Sequence, residues 1–145
     1  EVITAQAETA TPTRAMLVAR GAAFLSFIAG SAFRRSEAEY RRETEAALDR
    51  SYRPGAMVRQ FVAVLASSPR GEALRTLSLP ALVVHGSEDQ LCPPPHGAHT
   101  AECLKGAKLL LVEGMGHNVE PGLTPVLLPA LLALFESASS GRQAA

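Results

Sequence analysis

The stretches PALVVHGSED at residues 80–89 and KLLLVEGMGH at residues 108–117 share one pattern. In each, a short apolar run is followed by glycine and then by a titratable side chain, Asp89 in the first and His117 in the second. The apolar run is typical of a buried strand, and the glycine indicates a turn at its end. A carboxylate and an imidazole placed at two strand ends are two members of a nucleophile–base–acid triad.

The order of elements around these stretches predicts an α/β fold. Residues 93–104 and 123–135 have helical patterns, so strand and helix alternate through this half of the chain. Such alternation predicts parallel strands in one sheet. Functional groups collect beyond the carboxyl ends of parallel strands, where Asp89 and His117 are expected. Pro129 predicts a kink in the last helix, and residues 137–145 are expected to form a frayed tail.

Helices are predicted for most of the first half of the chain. Thr11 is expected to cap a helix over residues 14–29 that is apolar on most faces. A third helix is predicted to open at Pro54, with a stripe of large apolar residues facing inward every four positions. The residues of this stripe are Met57, Phe61 and Leu65. The other expected elements are a helix that begins after a capping box of Ser36 and Glu39 and ends near Arg50, a helical turn over residues 72–77, and the end of a strand over residues 1–5.

Composition excludes several functional classes. The 145 residues are 47% hydrophobic and 19% charged, with 14 basic and 14 acidic side chains, so no net charge attracts nucleic acid or an anionic membrane. Two cysteines, Cys92 and Cys103, do not make a disulfide framework. The apolar run 15–30 contains Arg20 and is too short for a membrane span. No signal peptide is visible, so localisation stays undetermined, with a cytoplasmic location as the expectation.

The motifs LVVHGSEDQLCP at residues 82–93 and GMGH at residues 114–117 resemble the last two strands of an α/β-hydrolase. The resemblance is greatest to bacterial esterases of the aclacinomycin methylesterase type. It implies that Asp89 is the triad acid, that His117 is the general base, and that Glu88 is not the acid. The helices of residues 12–66 are similar to the helical cap of that family. The resemblance implies a small apolar ester as substrate and requires no cofactor or metal.

The nucleophile of this fold precedes the acid and the base on a Gly-x-Ser-x-Gly elbow, and the sequence contains no such motif. Ser31 follows a helix instead of a strand, and Ser87 lies in the acid loop. The expected architecture is therefore the C-terminal part of an α/β-hydrolase parallel sheet with a helical cap, in which the N-terminal strands and the elbow are absent. The expected regions are a core-strand end and connection (1–11), the cap (12–78), the C-terminal α/β core (79–137) and a tail (138–145).

Three alternatives remain open from the sequence. An epoxide hydrolase or haloalkane dehalogenase would keep the acid and the base but use an upstream Asp as nucleophile. A non-catalytic ligand-binding or association module would self-associate or bind a complementing N-terminal half, because its sheet edge and apolar surface are open. A zinc site is the least favoured, because its Cys and His spacing matches no common zinc module. Its ligands would be Cys92, His96, His99 and Cys103.

Overall fold

Two parallel strands and the helix between them place two loops side by side, the acid loop (residues 87–94) and the base loop (residues 113–120). In a computed structural model that describes residues 11–143, and side chains only to residue 139, strand β1 (Leu82–Gly86) pairs in parallel with β2 (Lys108–Val112). The register aligns Gly86 with Val112, so both strands end at the same level. Helix α5 (Pro95–Cys103) makes the crossover, and a 3-10 turn (Pro121–Leu123) leads into α6 (Thr124–Gln143). The predicted α/β class with a parallel sheet is confirmed.

The first half of the described chain is helical, as predicted. Helices α1 (Arg14–Ile28) and α2 (Glu37–Arg50) pack against each other, and α3 (Ala56–Ala66) and the short α4 (Gly71–Arg75) follow. The capping box of Ser36 and Glu39 is present at the start of α2. The predicted strand end over residues 1–5 lies outside the described residues.

Three local predictions are corrected by the structure. The cap of α1 is Thr13, whose hydroxyl accepts from the Met16 N–H, because one turn must separate the capping oxygen from its donor and Thr11 lies too far upstream. Helix α3 begins at Ala56, after Gly55 in the left-handed conformation, instead of at Pro54. The last helix continues to Gln143, past the start of the predicted tail.

The predicted inward stripe on α3 is wrong for this chain. Met57, Phe61 and Leu65 are 74%, 62% and 71% exposed, and no residue of α3 is buried. The spacing of the stripe does describe one amphipathic face. Among the described residues, however, no element packs on that face, and periodicity alone cannot supply a partner.

Two small apolar clusters form the core. One joins α1 to α2 through Ala22, Ala29 and the fully buried Tyr40. The other lies below the base loop, where Met115 packs with Val112 and Leu123. The other large side chains that the strands and α6 contribute are partly buried against this second cluster or exposed.

Helix α6 also meets a simple criterion for a membrane span. Within the described part of the chain, the segment Pro121–Ser139 is the one helical segment long and apolar enough to cross a membrane. Its mean hydropathy is 1.4, and only 6% of it is buried inside the protein. Core helices of soluble proteins meet the same criterion, so length and composition alone are weak evidence. The expectation of no membrane span stays a prediction.

Candidate active site

The acid loop begins where β1 ends and holds its carboxylate by its own backbone. Asp89 is only 7% exposed, and its Oδ1 accepts hydrogen bonds from the N–H groups of Leu91 and Cys92, each at 2.9 Å. A side-chain oxygen that accepts from backbone two and three residues ahead is a local turn that Asp forms readily. The turn fixes the carboxyl group and leaves Oδ2 available for another partner.

The base loop begins where β2 ends and is bonded directly to the acid loop. The Gly114 N–H donates to Ser87 Oγ at 2.9 Å, and the Glu88 N–H donates to the Met115 carbonyl at the same distance. Gly86 is required at this junction, because an added Cβ would clash with the carbonyl oxygens of the facing loop. The two loops therefore form one layer at the carboxyl edge of the sheet.

This layer brings the two candidate residues together. The distance from His117 Nδ1 to Asp89 Oδ2 is 2.9 Å, which makes Nδ1–H the donor if the carboxylate is ionised. The His117 side chain is 42% exposed, whereas that of Asp89 is 6% exposed. A carboxylate on Nδ1 selects the tautomer in which Nε2 carries no proton and can accept one. The arrangement is that of an imidazole base oriented by a buried acid.

The surroundings of Asp89 favour its ionised form. Burial by itself raises the pKa of this carboxyl, but the Cys92 N–H and the hydrogen bond from His117 lower it by more. The net pKa therefore lies below its ordinary value. An ionised Asp89 can stabilise an imidazolium on His117, which a neutral acid could not do.

His85 supports the acid loop from below. Its Nε2 lies 2.7 Å from the Cys92 carbonyl oxygen and 3.7 Å from Asp89 Oδ2, and its side chain is 12% exposed. Gly97 of α5 makes room for the ring, since an added Cβ would clash with it. His85 is therefore a packed, hydrogen-bonded residue of the strand end.

The end of α1 holds the base loop from the other side. The His117 N–H donates to the Ile28 carbonyl at 2.7 Å, and the Gly116 N–H donates to the Ala29 carbonyl at 3.0 Å. Gly30 has φ +77°, and an added Cβ would clash with the Gly114 carbonyl oxygen and the Gly116 nitrogen. Only glycine tolerates both the positive φ and the lack of room for a Cβ. It lets the backbone of the helical region (helices α1 to α4) touch the backbone of the base loop.

A cavity of about 500 Å³ opens beside the pair. Its walls come from β1, the acid loop, α5, the base loop and α6, and most of its lining surface is apolar, with side chains that include Val84, Met115 and Leu127. The polar side chains in the lining are those of His85, Asp89, Cys92, His96, Thr100 and His117. Cavities of this size with a few converging polar groups are the usual form of small-molecule sites.

The two serines considered as nucleophiles are held by other groups. Ser31 Oγ donates to Glu88 Oε1 and its N–H donates to Oε2, both at 2.7 Å. Ser87 Oγ accepts the Gly114 N–H in the junction of the loops. Neither serine is hydrogen-bonded to His117 in the structure.

The possible zinc ligands are not gathered into a site. Cys103 is buried with its Sγ 3.6 Å from His99 Nε2, while Cys92 is exposed in the acid loop. In the part of the chain that the structure describes, no group of three or more His, Cys, Asp or Glu residues could hold a metal ion. Two ligands on one helix face do not complete a tetrahedral site.

The sequence analysis missed a buried polar cluster behind the base loop. Glu120 is 2% exposed, and its carboxylate contacts Arg35 and Tyr40 of the helical region. Glu120 stands between Val119 and Pro121, and nothing in that pattern predicts a buried charge. The one feature of the sequence that could have drawn attention to Glu120 is its position three residues after His117, because charged residues near a functional site often have a role in it.

Comparison with known proteins places this geometry in a family. The family model described as TAP-like protein, one of the α/β-hydrolase models, matches residues 60–125, which include both loops. Over 70 residues the chain is 31% identical to rhodomycin D methylesterase DauP of Streptomyces sp. and to DnrP of Streptomyces peucetius. Over these segments the chain is similar to members of the α/β-hydrolase family. This confirms the resemblance that the two strand motifs predicted.

Two further comparisons agree with the α/β-hydrolase fold. A non-heme chloroperoxidase of Streptomyces lividans is 33% identical over 79 residues, which are 54% of this chain and 29% of that protein. A meta-cleavage product hydrolase, CumD of Pseudomonas fluorescens, superimposes with a TM-score of 0.64 at 23% identity and covers 89% of this chain. A second CumD structure gives a TM-score of 0.63.

The α/β-hydrolase relatives are longer than the segments they share with this chain. The matched segment is 48% of this chain and 24% of each methylesterase. The superposition spans 47% and 48% of the two solved hydrolase chains. The chain therefore corresponds to about half the length of the solved hydrolases.

Proposed function

We propose that this chain supplies the acid and the general base of a serine hydrolase that cleaves carboxylic esters. Asp89 is the acid and His117 the base, and the nucleophilic serine and oxyanion-hole N–H groups come from polypeptide outside these residues. The observation that carries the proposal is the 2.9 Å hydrogen bond between His117 Nδ1 and Asp89 Oδ2. Both groups lie at parallel strand ends, where this fold assembles its triad.

The chemistry follows from the orientation of the imidazole. His117 Nε2 takes the proton of the attacking serine as its Oγ bonds to the ester carbonyl carbon, and Asp89 stabilises the imidazolium. His117 then protonates the alkoxide oxygen as the carbon–oxygen bond breaks and the alcohol leaves. A water attacks the acyl-enzyme by the same exchange of protons, which releases the acid and regenerates the serine.

Two observations support an ester as the substrate class. The two matched proteins from Streptomyces are named as methylesterases. The cavity beside His117 is largely apolar and, at about 500 Å³, fits a small molecule. The substrate of the proposal is therefore a small apolar ester, with the helical region as a cap that closes over it.

The test joins this chain to the residues encoded ahead of Glu1 in its gene. In the joined protein we expect hydrolysis of p-nitrophenyl esters to fall about 10⁴-fold in Asp89→Asn and at least as far in His117→Ala. Ser31→Ala is the matched control and should retain activity, because its hydroxyl bonds to Glu88 instead of His117. A fluorophosphonate should label one serine outside the 145 residues.

Other outcomes would change the proposal in defined ways. Turnover by the 145 residues alone, with the label on one of their own serines, would show that a nucleophile is present in this chain. If the fluorophosphonate labels no serine and the joined protein releases halide from a haloalkane or forms a diol from an epoxide, the nucleophile is an upstream Asp. Full activity of the joined His117→Ala protein would exclude His117 as the base.

We also propose that the isolated chain associates with itself or with a complementing N-terminal half. The apolar face of α3 is uncovered in the described chain, and Leu109, Leu111 and Phe135 are 43%, 49% and 61% exposed. Exposed apolar surface of this kind favours association. Light scattering in dilute solution should give a mass above 15.3 kDa. A stable, cooperative monomer would exclude self-association.

A further inference from the structure

We propose that Glu120 is a positioning residue for His117, and that it fastens the base loop to the helical region. The inference rests on the proposed role of His117 as general base. It concerns the four residues 117–120, which connect the base to the 3-10 turn before α6.

The carboxylate of Glu120 is bonded on both oxygens. Its Oε2 accepts from Arg35 Nε at 2.5 Å, and its Oε1 accepts from the Tyr40 hydroxyl at 3.1 Å. The side-chain amide nitrogen of Asn118 (Nδ2) donates to the same Oε1 at 3.3 Å. Glu120 and Tyr40 are 2% and 0% exposed, so water does not compete for these bonds.

Arg35 joins this cluster to α2 more widely. Its guanidinium also binds Glu43 and lies 4.6 Å above the Tyr40 ring, while its backbone N–H donates to the Tyr40 hydroxyl. The carboxylate of Glu43, and then that of Glu120, raises the pKa of Arg35 further above its ordinary range. A buried carboxylate without its cation is strongly disfavoured, so Glu120 holds the loop firmly against Arg35.

The opposite end of the same segment is held by α1. The His117 N–H donates to the Ile28 carbonyl at 2.7 Å. Between the two attachments, Val119 is 71% exposed and contributes no buried packing. The side-chain amide of Asn118 also donates to the Leu25 carbonyl of α1 at 3.5 Å. The segment that carries His117 is therefore held by the helical region at three points, and the Glu120 carboxylate is the attachment at its far end.

The experiment measures the hydrogen bond of His117 directly in the 145-residue chain. The ring ¹⁵N shifts of the neutral imidazole report the fraction of the Nδ1–H tautomer that Asp89 selects. The signal that disappears in His117→Gln is that of His117. In Glu120→Ala we expect the ratio of the Nδ1–H to the Nε2–H tautomer to fall at least threefold, under conditions where circular dichroism shows a folded chain.

Two further variants separate positioning from general loosening. Val18→Ala removes a buried side chain near the far end of α1 and should leave the tautomer ratio unchanged. Tyr40→Phe removes one donor to Glu120 with little change in shape, and should lower the ratio by about half as much. This variant gives the answer if Glu120→Ala does not fold.

An unchanged ratio in Glu120→Ala, or in Tyr40→Phe where only that variant folds, would overturn the proposal. So would an equal fall in Val18→Ala, because the effect would then be general destabilisation. The tautomer readout needs no turnover. A joined protein without esterase activity would therefore overturn the proposed function alone.

Discussion

The acid loop and the base loop lie side by side, but they are held in place by different means. Asp89 is buried, and two backbone N–H groups of its own loop, those of Leu91 and Cys92, fix its carboxylate. His117 is exposed, and the end of α1 fixes its backbone through the Ile28 carbonyl. The Asp89 carboxylate is thus positioned largely by contacts local in sequence, and the His117 backbone by contacts with a distant segment.

Because of this difference, Asp89 and His117 should respond differently to substitutions elsewhere in the chain. The turn at Asp89 uses backbone N–H groups of its own loop, so its Oδ1 is held without any contact to the helical region. The base loop keeps its shape only while the helical region is docked. A change at the last turn of α1, where Ile28 and Ala29 contact the base loop, should therefore affect His117 before it affects Asp89.

The largest expected effect comes from the backbone junction at Gly30. Gly30→Ala adds the cost of a left-handed alanine to a clash with three backbone atoms of the base loop, and should lower the free energy of unfolding by about 3 kcal/mol or more. Gly106→Ala is the matched control, because φ is +78° there and no atom lies within 4 Å of the added Cβ. It should cost only about 1–2 kcal/mol.

Urea unfolding of both variants measures these costs. The difference between them isolates the clash with the base loop from the backbone strain. Equal destabilisation by the two substitutions would show that α1 does not approach the base loop as closely as the structure has it.

A smaller effect with a defined pH dependence is expected at Asp89. Because the folded-state pKa is lowered from 3.8, its stabilising contribution is complete above that value and is lost as pH falls through the folded pKa. Asp89→Asn should cost about 1–3 kcal/mol of unfolding free energy at pH 7. The difference from wild type should shrink as the pH falls below 3.8.

Urea midpoints at neutral and acid pH give this comparison. Glu113→Gln, a charge removal at an exposed position after β2, is the control for general charge effects. A cost for Asp89→Asn that stays constant into the acid range would argue that the ionised carboxylate adds nothing to stability.

The smallest effect is expected at the exposed link between the acid loop and the end of α1. Ser31 donates to both oxygens of Glu88, yet both residues are exposed to water. A double-mutant cycle with Ser31→Ala and Glu88→Gln should give a coupling free energy of about 0.2–1 kcal/mol. A coupling above about 2 kcal/mol would show that the acid loop is joined to the end of α1 through this pair as strongly as through a buried contact.

The sequence predicted the core half of the chain better than the helical half. The apolar runs at the start of both quoted stretches are strands, Leu82–Gly86 and Lys108–Val112, as predicted. The proximity of Asp89 to His117 also followed from the rule that parallel strands end at a common edge. The α3 stripe failed, because amphipathic spacing identifies a face but says nothing about which element covers it.

The buried cluster could not be predicted for a similar reason. Glu120 and Arg35 are charged residues in segments without a distinctive pattern, and single charges are most often solvated. Only the docking of α2 behind the base loop buries them together. Such pairs depend on contacts between residues far apart in sequence.

The sequence by itself determined the strand–turn units, the α/β class and the acid turn at Asp89, because each depends on neighbours within a few residues. The tertiary structure decided how the base is held. The Gly30 junction, the Ile28 carbonyl on the His117 N–H and the Glu120 carboxylate on Arg35 all join segments that only folding brings together. Local propensity selects a turn, but the angle at which a loop presents an imidazole is fixed by whatever packs against it.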